Sequence, residues 1–133
     1  MRFTNNIISY LITKINHGTK KRLRFIKLEY NETVLDLLKI LYEHGVIRSY
    51  RIQNNNEVDV YIKYHESRPI IKMSIVSTSG KRVFWNLDNL TKYYNNHNFS
   101  GFFVISTKSG LHTSHDCLIN RIDGGEVLMK VEV

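Results

Sequence analysis

The C-terminal stretch Gly101–Val133, GFFVISTKSGLHTSHDCLINRIDGGEVLMKVEV, carries the pattern that decides the fold. Its apolar run Phe102–Ile105 predicts a buried strand, which stops at the polar segment Ser106–Gly110. Thr113–Cys117 is typical of a short helical turn whose first N–H groups are capped by a hydroxyl. A closing strand is predicted at Glu126–Val133.

Paired glycines, Gly124 and Gly125, precede that closing strand. Glycines beside a strand predict a sharp turn, or a place where another backbone comes close. The polar segment Ser106–Gly110 brings hydroxyls, an ammonium group and backbone N–H groups together. A phosphate, a sugar or a base edge fits such a surface, so this segment is a candidate binding site.

The composition of the chain favours a folded protein with a polyanionic partner. Its 133 residues suffice for one domain or two small lobes, and the formal charge is +7. A small domain this basic most often binds nucleic acid, ahead of an anionic membrane face. A basic soluble protein without such a partner is the alternative. The single cysteine excludes an internal disulfide and a four-cysteine metal site.

Targeting and codon signals are also readable in the composition. No apolar stretch reaches membrane-spanning length, and no small-residue cleavage site follows the apolar run Ile7–Ile15. We therefore expect neither a membrane span nor a secretory signal. Alanine is absent, whereas asparagine, isoleucine, lysine and tyrosine are abundant. This bias indicates an AT-rich genome, either of an organelle or of an AT-biased bacterium.

The N-terminal part begins with a helix and a basic segment. Apolar residues at helical spacing predict an amphipathic helix over Phe3–Asn16, with Gly18 as its end. The apolar residues that follow, Leu23, Phe25, Ile26 and Leu28, predict a strand within a basic segment. No acid precedes Glu29 in this segment, so a phosphate partner explains its charges more economically than a solvated face. The cations of this segment are Lys20, Lys21, Arg22, Arg24 and Lys27.

A second helix and two strands complete an α+β lobe. Asn31 is a favourable N-cap for a helix at Glu32–His44, and Gly45 is the expected left-handed stop. Val46–Gln53 and Val58–Tyr64 predict antiparallel strands joined by the asparagines at 54–56, with one face in solvent.

The C-terminal lobe is predicted to be mainly β with a short helix. Ser67–Pro69 marks the boundary, so the expected domains are residues 1–66 and 67–133. Ile70–Val76 predicts a strand that leads into the polar turn Ser77–Arg82. A short helix and loop are expected over residues 92–98, where Tyr93 and Tyr94 pack or, alternatively, stack on bases. The predicted fold class is α+β in two small lobes.

Several of these segments together resemble a known family. The pattern Gly101-x-x-Val-Ile-Ser-Thr-x-x-Gly110-Leu, followed by the Gly-Gly-Glu at residues 124–126, resembles the C-terminal signature of the bacterial-type small-ribosomal-subunit protein eight family. Residues 77–84 are similar to that family's Ser-x-Pro-Gly-x-Arg-[Val/Ile]-Tyr, and residues 12–18 are similar to its Leu-Thr-Arg-Ile-Arg-Asn helix end. Residues 41–47 resemble its Leu-x-x-x-Gly-[Phe/Tyr]-Ile passage.

The chain also departs from that pattern. Lys108 and Ser109 occupy the third and fourth loop positions in the opposite order to the family, so the loop either shifts register or gains a phosphate contact. Asn16 replaces a family arginine, Ser79 a proline and Phe84 a tyrosine. A backbone-binding charge and a phenolic hydrogen bond are therefore missing.

The resemblance implies a primary rRNA-binding protein of the small ribosomal subunit. Its expected partners are an internal-loop region of the central domain of small-subunit rRNA and neighbouring ribosomal proteins, with no membrane, cofactor, metal or small-molecule substrate. By the same analogy Ser106 and Thr107 contact base and sugar edges, while Gly125 and Glu126 shape or touch the same site. The residues expected to bind RNA are Ser106, Thr107, Lys108, Ser109, Gly125, Glu126, Ser77, Gly80, Arg82, Thr13 and Lys14, to which the basic segment adds Lys21 and Arg22. Composition and drifted motifs favour a mitochondrial ribosome over a bacterial cytoplasm or a plastid.

Enzymatic alternatives are poorly supported by the residue patterns. His112 and His115 stand at i, i+3 but have few additional metal ligands nearby. Ser106, His112 and Asp116 are the residue types of a nucleophilic triad, yet they come from one local segment. Residues 79–81 lack the upstream glycine of a phosphate-binding loop. We expect a non-enzyme; a generic RNA-binding regulatory module and a small hydrolase remain as rival hypotheses.

Overall fold

The computed structural model describes residues 5–54, 56–66, 68–69, 72–97 and 99–132. Within these ranges the chain is α+β, with four α-helices and antiparallel strand pairings, which confirms the predicted fold class. The residues group into two compact units, Asn6–Lys72 and Met73–Val133. The predicted lobe boundary falls on Ser67, which lies outside the described residues.

The Asn6–Lys72 unit is built around a three-stranded antiparallel sheet with the order β1-β3-β2. Apolar side chains of its helices and strands, such as Leu11, Leu38 and Val60, are fully buried. Their burial supplies the main stabilisation of the unit. The elements are α1 (Asn5–Lys20), β1 (Phe25–Glu29), α2 (Glu32–Glu43), β2 (Ile47–Ile52), β3 (Glu57–Ile62) and the short pair β4 (Tyr64–His65) with β5 (Arg68–Pro69).

The prediction that Gly18 ends the first helix is wrong. Helix α1 continues to Lys20, and the chain leaves it at Arg22, whose φ is +56°. A Cβ atom on Gly18 would lie 2.5 Å from Ile26 Cγ2 and 2.8 Å from Ile62 Cδ1. The glycine therefore allows α1 to pack closely on β1 and β3, and it does not cap the helix. The predicted helix start, Phe3, lies outside the described residues.

The second helix follows the sequence prediction closely. Asn31 Oδ1 accepts a hydrogen bond from Thr33 N at 2.8 Å, and Gly45 has a φ of +72°. The apolar residues of α2 at helical spacing are buried, with Leu38 and Leu41 fully enclosed. Both ends of α2 are thus encoded by single residues, an Asx cap and a left-handed glycine.

The expectation that one face of β3 is wholly in solvent is wrong at Asp59. Its side chain is only 7% exposed, and its Oδ2 accepts a hydrogen bond from Gln53 Nε2 at 2.9 Å. A buried carboxylate needs such a partner. Asn56, in the predicted asparagine turn, has a φ of +56°, whereas Asn55 lies outside the described residues.

The Met73–Val133 unit is built around a second sheet, with the strand order β6-β10-β8-β9 and with β7 paired to β10. Central strands β8 and β10 run antiparallel, and Val104, Ile105 and Val127 are fully buried. Two helices contact this sheet and its hairpin, where the sequence predicted a short helix and a capped helical turn. The elements are β6 (Lys72–Ile75), β7 (Phe84–Trp85), α3 (Leu87–Asn96), β8 (Gly101–Thr107), β9 (Gly110–Thr113), α4 (Ser114–Asn120) and β10 (Gly125–Glu132). Residues 70 and 71 of the predicted Ile70–Val76 strand lie outside the described residues.

Helix α3 starts five residues before the predicted short helix. Asn86 caps it by accepting a hydrogen bond from Asn89 N at 2.9 Å. Tyr93 stacks on His97 with ring centroids 4.2 Å apart, and the Tyr94 hydroxyl lies 2.7 Å from Ser114 Oγ. The two tyrosines are half-buried in an aromatic cluster, as the packing alternative predicted.

Candidate nucleic-acid interface

The polar segment Ser106–Gly110 forms the tip of a β-hairpin. Strand β8 extends to Thr107, β9 begins at Gly110, and Lys108 and Ser109 make the turn between them. The φ of Gly110 is +115°, a conformation that favours glycine. Three of the five residues therefore lie on paired strands, and Lys108 and Ser109 form the turn.

Within this hairpin the hydroxyls have different roles. Thr107 Oγ1 donates to the Gly110 carbonyl at 2.8 Å and accepts from Ser109 N at 3.2 Å, so it holds the turn closed. Ser109 Oγ lies 3.1 Å from His112 Nε2. The Ser106 hydroxyl makes no hydrogen bond to any described residue, and the Lys108 side chain is exposed. Ser106 and Lys108 are thus the groups most available to a ligand.

The paired glycines permit close strand packing. A Cβ atom on Gly125 would collide with the carbonyl oxygen of Ser106, and one on Gly124 would collide with that of Trp85. The backbone of β8 therefore comes close to Gly125, and the backbone of β7 comes close to Gly124. This close approach confirms one of the two predictions for the paired glycines. As a consequence, Glu126 stands directly opposite Ser106.

Four side chains form a row across one face of this sheet. Register places Phe84 opposite Glu126, Glu126 opposite Ser106, and Ser106 opposite Leu111. Directly opposed residues of antiparallel strands share a face, so the row runs from β7 through β10 and β8 to β9. The ring of Phe84 is 64% exposed. We name Phe84, Glu126, Ser106, Lys108 and Arg82 together the strand-end surface.

Arg82 joins this surface through an ion pair, with its Nη1 2.9 Å from Glu126 Oε2. The turn that carries Arg82 is anchored by Ser77, whose Oγ donates to the Val127 carbonyl at 2.6 Å and accepts from Val83 N at 3.0 Å. Ser77 is 1% exposed, so its hydroxyl acts inside the protein in this structure. Gly80 is exposed, and a Cβ atom there would meet nothing within 4 Å.

The remaining predicted residues lie in the Asn6–Lys72 unit. Thr13 and Lys14 are exposed on α1, and Lys14 Nζ lies 5.8 Å from the ring centroid of Tyr10. Lys21 and Arg22 are exposed in the turn that follows the helix. All four are therefore accessible, and their role in RNA binding stays a prediction.

Sequence reasoning missed three exposed residues that the fold brings to these surfaces. Arg48 and Lys63 line a concave surface with Arg22 and Arg24. For Phe84, the sequence indicates only that it replaces a tyrosine of the family. No local signal marks Arg48 or Lys63, because each is a single cation on a strand or at its end, far from the basic segment in sequence.

The residues of the two enzymatic hypotheses do not come together in a catalytic or metal site. Ser106 and His112 occupy opposite faces of the hairpin, since His112 pairs with Ile105 and Ser106 pairs with Leu111. His115 Nε2 lies 3.0 Å from the Gly101 carbonyl. Consequently these side chains do not assemble as a triad or as a pair of metal ligands. No group of three or more metal-ligating side chains occurs among the described residues.

Cys117 is a buried packing residue. Burial raises the pKa of its thiol, and the neighbouring Asp116 carboxylate raises it further. Both effects disfavour the thiolate, which is the reactive form.

In the described parts of the chain, no helix combines the length and apolar character needed to cross a bilayer.

The described residues form a small, basic α+β protein whose strand-end surface combines polar, charged and aromatic side chains. The sequence profile of the family described as Ribosomal protein S8 matches residues 6–131, and the chain belongs to that family. This membership confirms the resemblance that the C-terminal motifs indicated. The family consists of ribosomal structural proteins and is not an enzyme family.

Relatives of this family extend over nearly the whole chain. Small ribosomal subunit protein uS8m of Acanthamoeba castellanii is 26% identical over 127 residues, covering 95% of this chain and 98% of that protein. The uS8 protein of Rhodospirillum centenum is 29% identical over 126 residues, covering 91% and 92%. The uS8 protein of Campylobacter hominis is 30% identical over 132 residues, covering 96% and 98%.

Proposed function

We propose that this protein is a structural constituent of the small ribosomal subunit that binds rRNA as a primary binding protein. Its target is an internal-loop region of the central domain, and its binding supports subunit assembly and translation. Family membership supports this function, as does the net charge of +7. The observation that carries the proposal is the Phe84–Glu126–Ser106 row, which groups an aromatic ring, a carboxylate and an unpaired hydroxyl on one sheet face.

The strand-end surface has the chemistry that an irregular RNA feature requires. Unstacked bases are read by hydrogen bonds and by stacking on aromatic rings. The Ser106 hydroxyl can both donate and accept, the Glu126 carboxylate accepts from base amino groups, and Phe84 offers an exposed ring. Phe84 keeps the stacking surface of a tyrosine although it lacks the phenolic hydroxyl.

Cations around this surface position the RNA without reading its sequence. Lys108 extends from the hairpin tip and can contact a phosphate, which fits the reversed order of Lys108 and Ser109. Thr107 acts differently, because its hydroxyl already closes the turn. In the N-terminal unit Lys21 and Arg22 supply further phosphate contacts.

Domain roles follow from this division. Residues 67–133 form the rRNA-binding lobe that reads the internal loop, and residues 1–66 form a lobe that adds backbone contacts and packs on neighbouring ribosomal proteins. The strand-end surface supports this division, since every residue of it belongs to the Met73–Val133 unit.

We place the protein in a mitochondrial ribosome. The similarity to the uS8m protein and the amino-acid bias that indicates an AT-rich genome support this location. Similar identities to bacterial uS8 proteins make the bacterial cytoplasm the alternative, and a plastid is the third. Fractionation of the source cells, followed by detection of the protein in mitochondrial or cytoplasmic ribosomes, separates these locations.

A salt titration with competitor tests the function. The dissociation constant for a central-domain rRNA fragment is measured from low to moderate salt, with bulk transfer RNA present. Non-specific binding is mainly electrostatic and is lost to the competitor as salt rises. We expect binding of the rRNA fragment to survive. If binding of both RNAs were lost equally as salt rises, the protein would bind RNA only through its positive charge, and the proposal would be overturned.

A further inference from the structure

Four of the six residues that line a concave surface of the Asn6–Lys72 unit are cations. This cavity, which we name the cationic cavity, has a volume of about 490 Å³. Three separate segments contribute to it: the turn after α1, the start of β2 and the end of β3. Its lining residues are Arg22, Arg24, Arg48, Lys63, Ile62 and Tyr64.

Hydrogen bonds hold the two arginines of the turn in place. The Tyr64 hydroxyl donates to the Leu23 carbonyl at 2.6 Å, and Ile62 N donates to the Arg24 carbonyl at 3.1 Å. Arg22 has a φ of +56°, so its side chain leaves the turn in a direction that a helical residue would not take. The backbone that carries Arg22 and Arg24 is therefore attached to the end of β3.

Arg48 reaches the cavity from a β-bulge. Ile47 pairs with Ile62 and Ser49 pairs with Tyr61, so Arg48 is the extra residue on β2. Bulges redirect a side chain from the regular alternation of a strand. Lys63 follows β3, and its Nζ donates to the Gly45 carbonyl at 3.2 Å, which holds the ammonium near the start of β2.

The charges of the cavity have no internal compensation. None of its lining residues is acidic, and none of its four cations forms an ion pair with a carboxylate of the described residues. Like charges that line one concave surface repel one another unless an anion lies between them. Guanidinium groups match phosphate oxygens in a bidentate geometry, and a lysine adds a point charge.

We propose that the cationic cavity binds a phosphate group of an RNA backbone. This inference rests on the proposed function and adds Arg24, Arg48 and Lys63 to its contacts. Burial raises the pKa of the Tyr64 phenol and the nearby Arg22 charge opposes that change, so Tyr64 stays a neutral hydrogen-bond donor in the cavity wall.

RNA binding of matched variants tests the cavity. The double variant Arg24→Gln/Arg48→Gln removes two lining charges, and Lys39→Gln/Lys92→Gln removes two exposed charges elsewhere. The slope of log affinity against log salt falls by about 0.7–0.9 for each phosphate that the protein no longer neutralises. We expect this fall for the cavity variant and not for the control, with both thermal midpoints near that of the natural chain.

A second arm uses inorganic phosphate as the probe. Phosphate is titrated against chloride at constant ionic strength while backbone amide shifts of residues 22–24, 48 and 63–64 are followed by NMR. We expect saturable shifts at these positions in the natural chain and in the control, and none in the cavity variant. Saturable shifts together with an unchanged salt slope would assign the site to free phosphate and overturn the RNA assignment.

The two proposals fail in different ways. If the natural chain discriminates rRNA from transfer RNA but the cavity and control variants have equal slopes, the cationic cavity is not a phosphate site and the proposed function stands. If the natural chain does not discriminate, the proposed function fails. The single variant Arg48→Glu serves if the double variant does not fold, and an unchanged slope there also overturns the inference.

Discussion

The guanidinium of Arg82 lies 2.9 Å from the Glu126 carboxylate, and this pair links the turn before β7 to the first residues of β10. Glu126 is also directly opposite Ser106 on β8. One ion pair therefore orients the carboxylate that lies beside the unpaired serine hydroxyl. The pair contributes modestly to stability, because the Arg82 side chain is 36% exposed, although that of Glu126 is only 15% exposed.

A double-mutant cycle on this pair has a defined outcome. We expect Arg82→Ala to lower the free energy of unfolding by about 0–1 kcal/mol, since the Arg82 end of the pair is open to solvent. Glu126→Gln should cost no more than this. Urea unfolding of both single variants and the double variant gives the coupling energy. A coupling far above 1 kcal/mol would show that the pair stabilises the fold.

Loss of the Ser106 hydroxyl should reduce RNA discrimination. We expect Ser106→Ala to lose about 1–3 kcal/mol of specific binding to the central-domain fragment. Thr107→Ala should lose a similar amount, because the turn opens without its hydrogen bonds, whereas Thr107→Ser retains the hydroxyl and the binding. Competition binding with cognate and random RNA measures each effect. Unchanged discrimination in Ser106→Ala would refute the role of the hairpin.

Single-charge changes in the basic segment should behave differently. Lys21→Ala and Arg22→Ala are expected to weaken the binding of all RNAs equally, because phosphate contacts carry no sequence information. The affinity should also depend less steeply on salt concentration. The same binding assay gives the ratio of cognate to random affinity. A change in that ratio would indicate that these side chains read bases.

Gly125 and Gly80 form a matched pair for testing close strand approach. A methyl group at Gly125 meets the Ser106 carbonyl, so we expect Gly125→Ala to lose about 1–3 kcal/mol of stability and to weaken RNA binding. Gly80→Ala, in the open turn, should change stability by less than about 0.5 kcal/mol. Thermal and urea unfolding compare them. Equal effects would mean that β8 and β10 do not pack as described.

Alkaline pH should reveal the buried thiol. Because the folded-state pKa of Cys117 is raised above its ordinary value of 9.0, the thiolate forms more readily in the unfolded chain. Its contribution to stability is therefore complete below pH 9.0 and is lost as the pH rises towards the raised pKa. Cys117→Ala should remove this part of the alkaline loss. Rapid modification of the native thiol near pH 8 would contradict the buried assignment.

Local patterns in the sequence determined the elements whose ends depend on one or two residues. The Asn31 cap and the left-handed Gly45 act on the backbone next to them in sequence, so their residue types predict their structure. The motif order at Ser106–Gly110 and Gly124–Glu126 was sufficient to identify the family. Helical and strand periodicity likewise predicted the α+β class.

Only the tertiary structure decided how distant residues meet. Gly18 has the sequence signature of a helix end, but α1 continues to Lys20, and the missing side chain lets the helix pack against Ile26 and Ile62. Strand register places Glu126 opposite Ser106. It also places Arg48 in a β-bulge of β2. Register is a long-range property, set by which strands pair and by how much apolar surface they bury, and no local sequence window contains it.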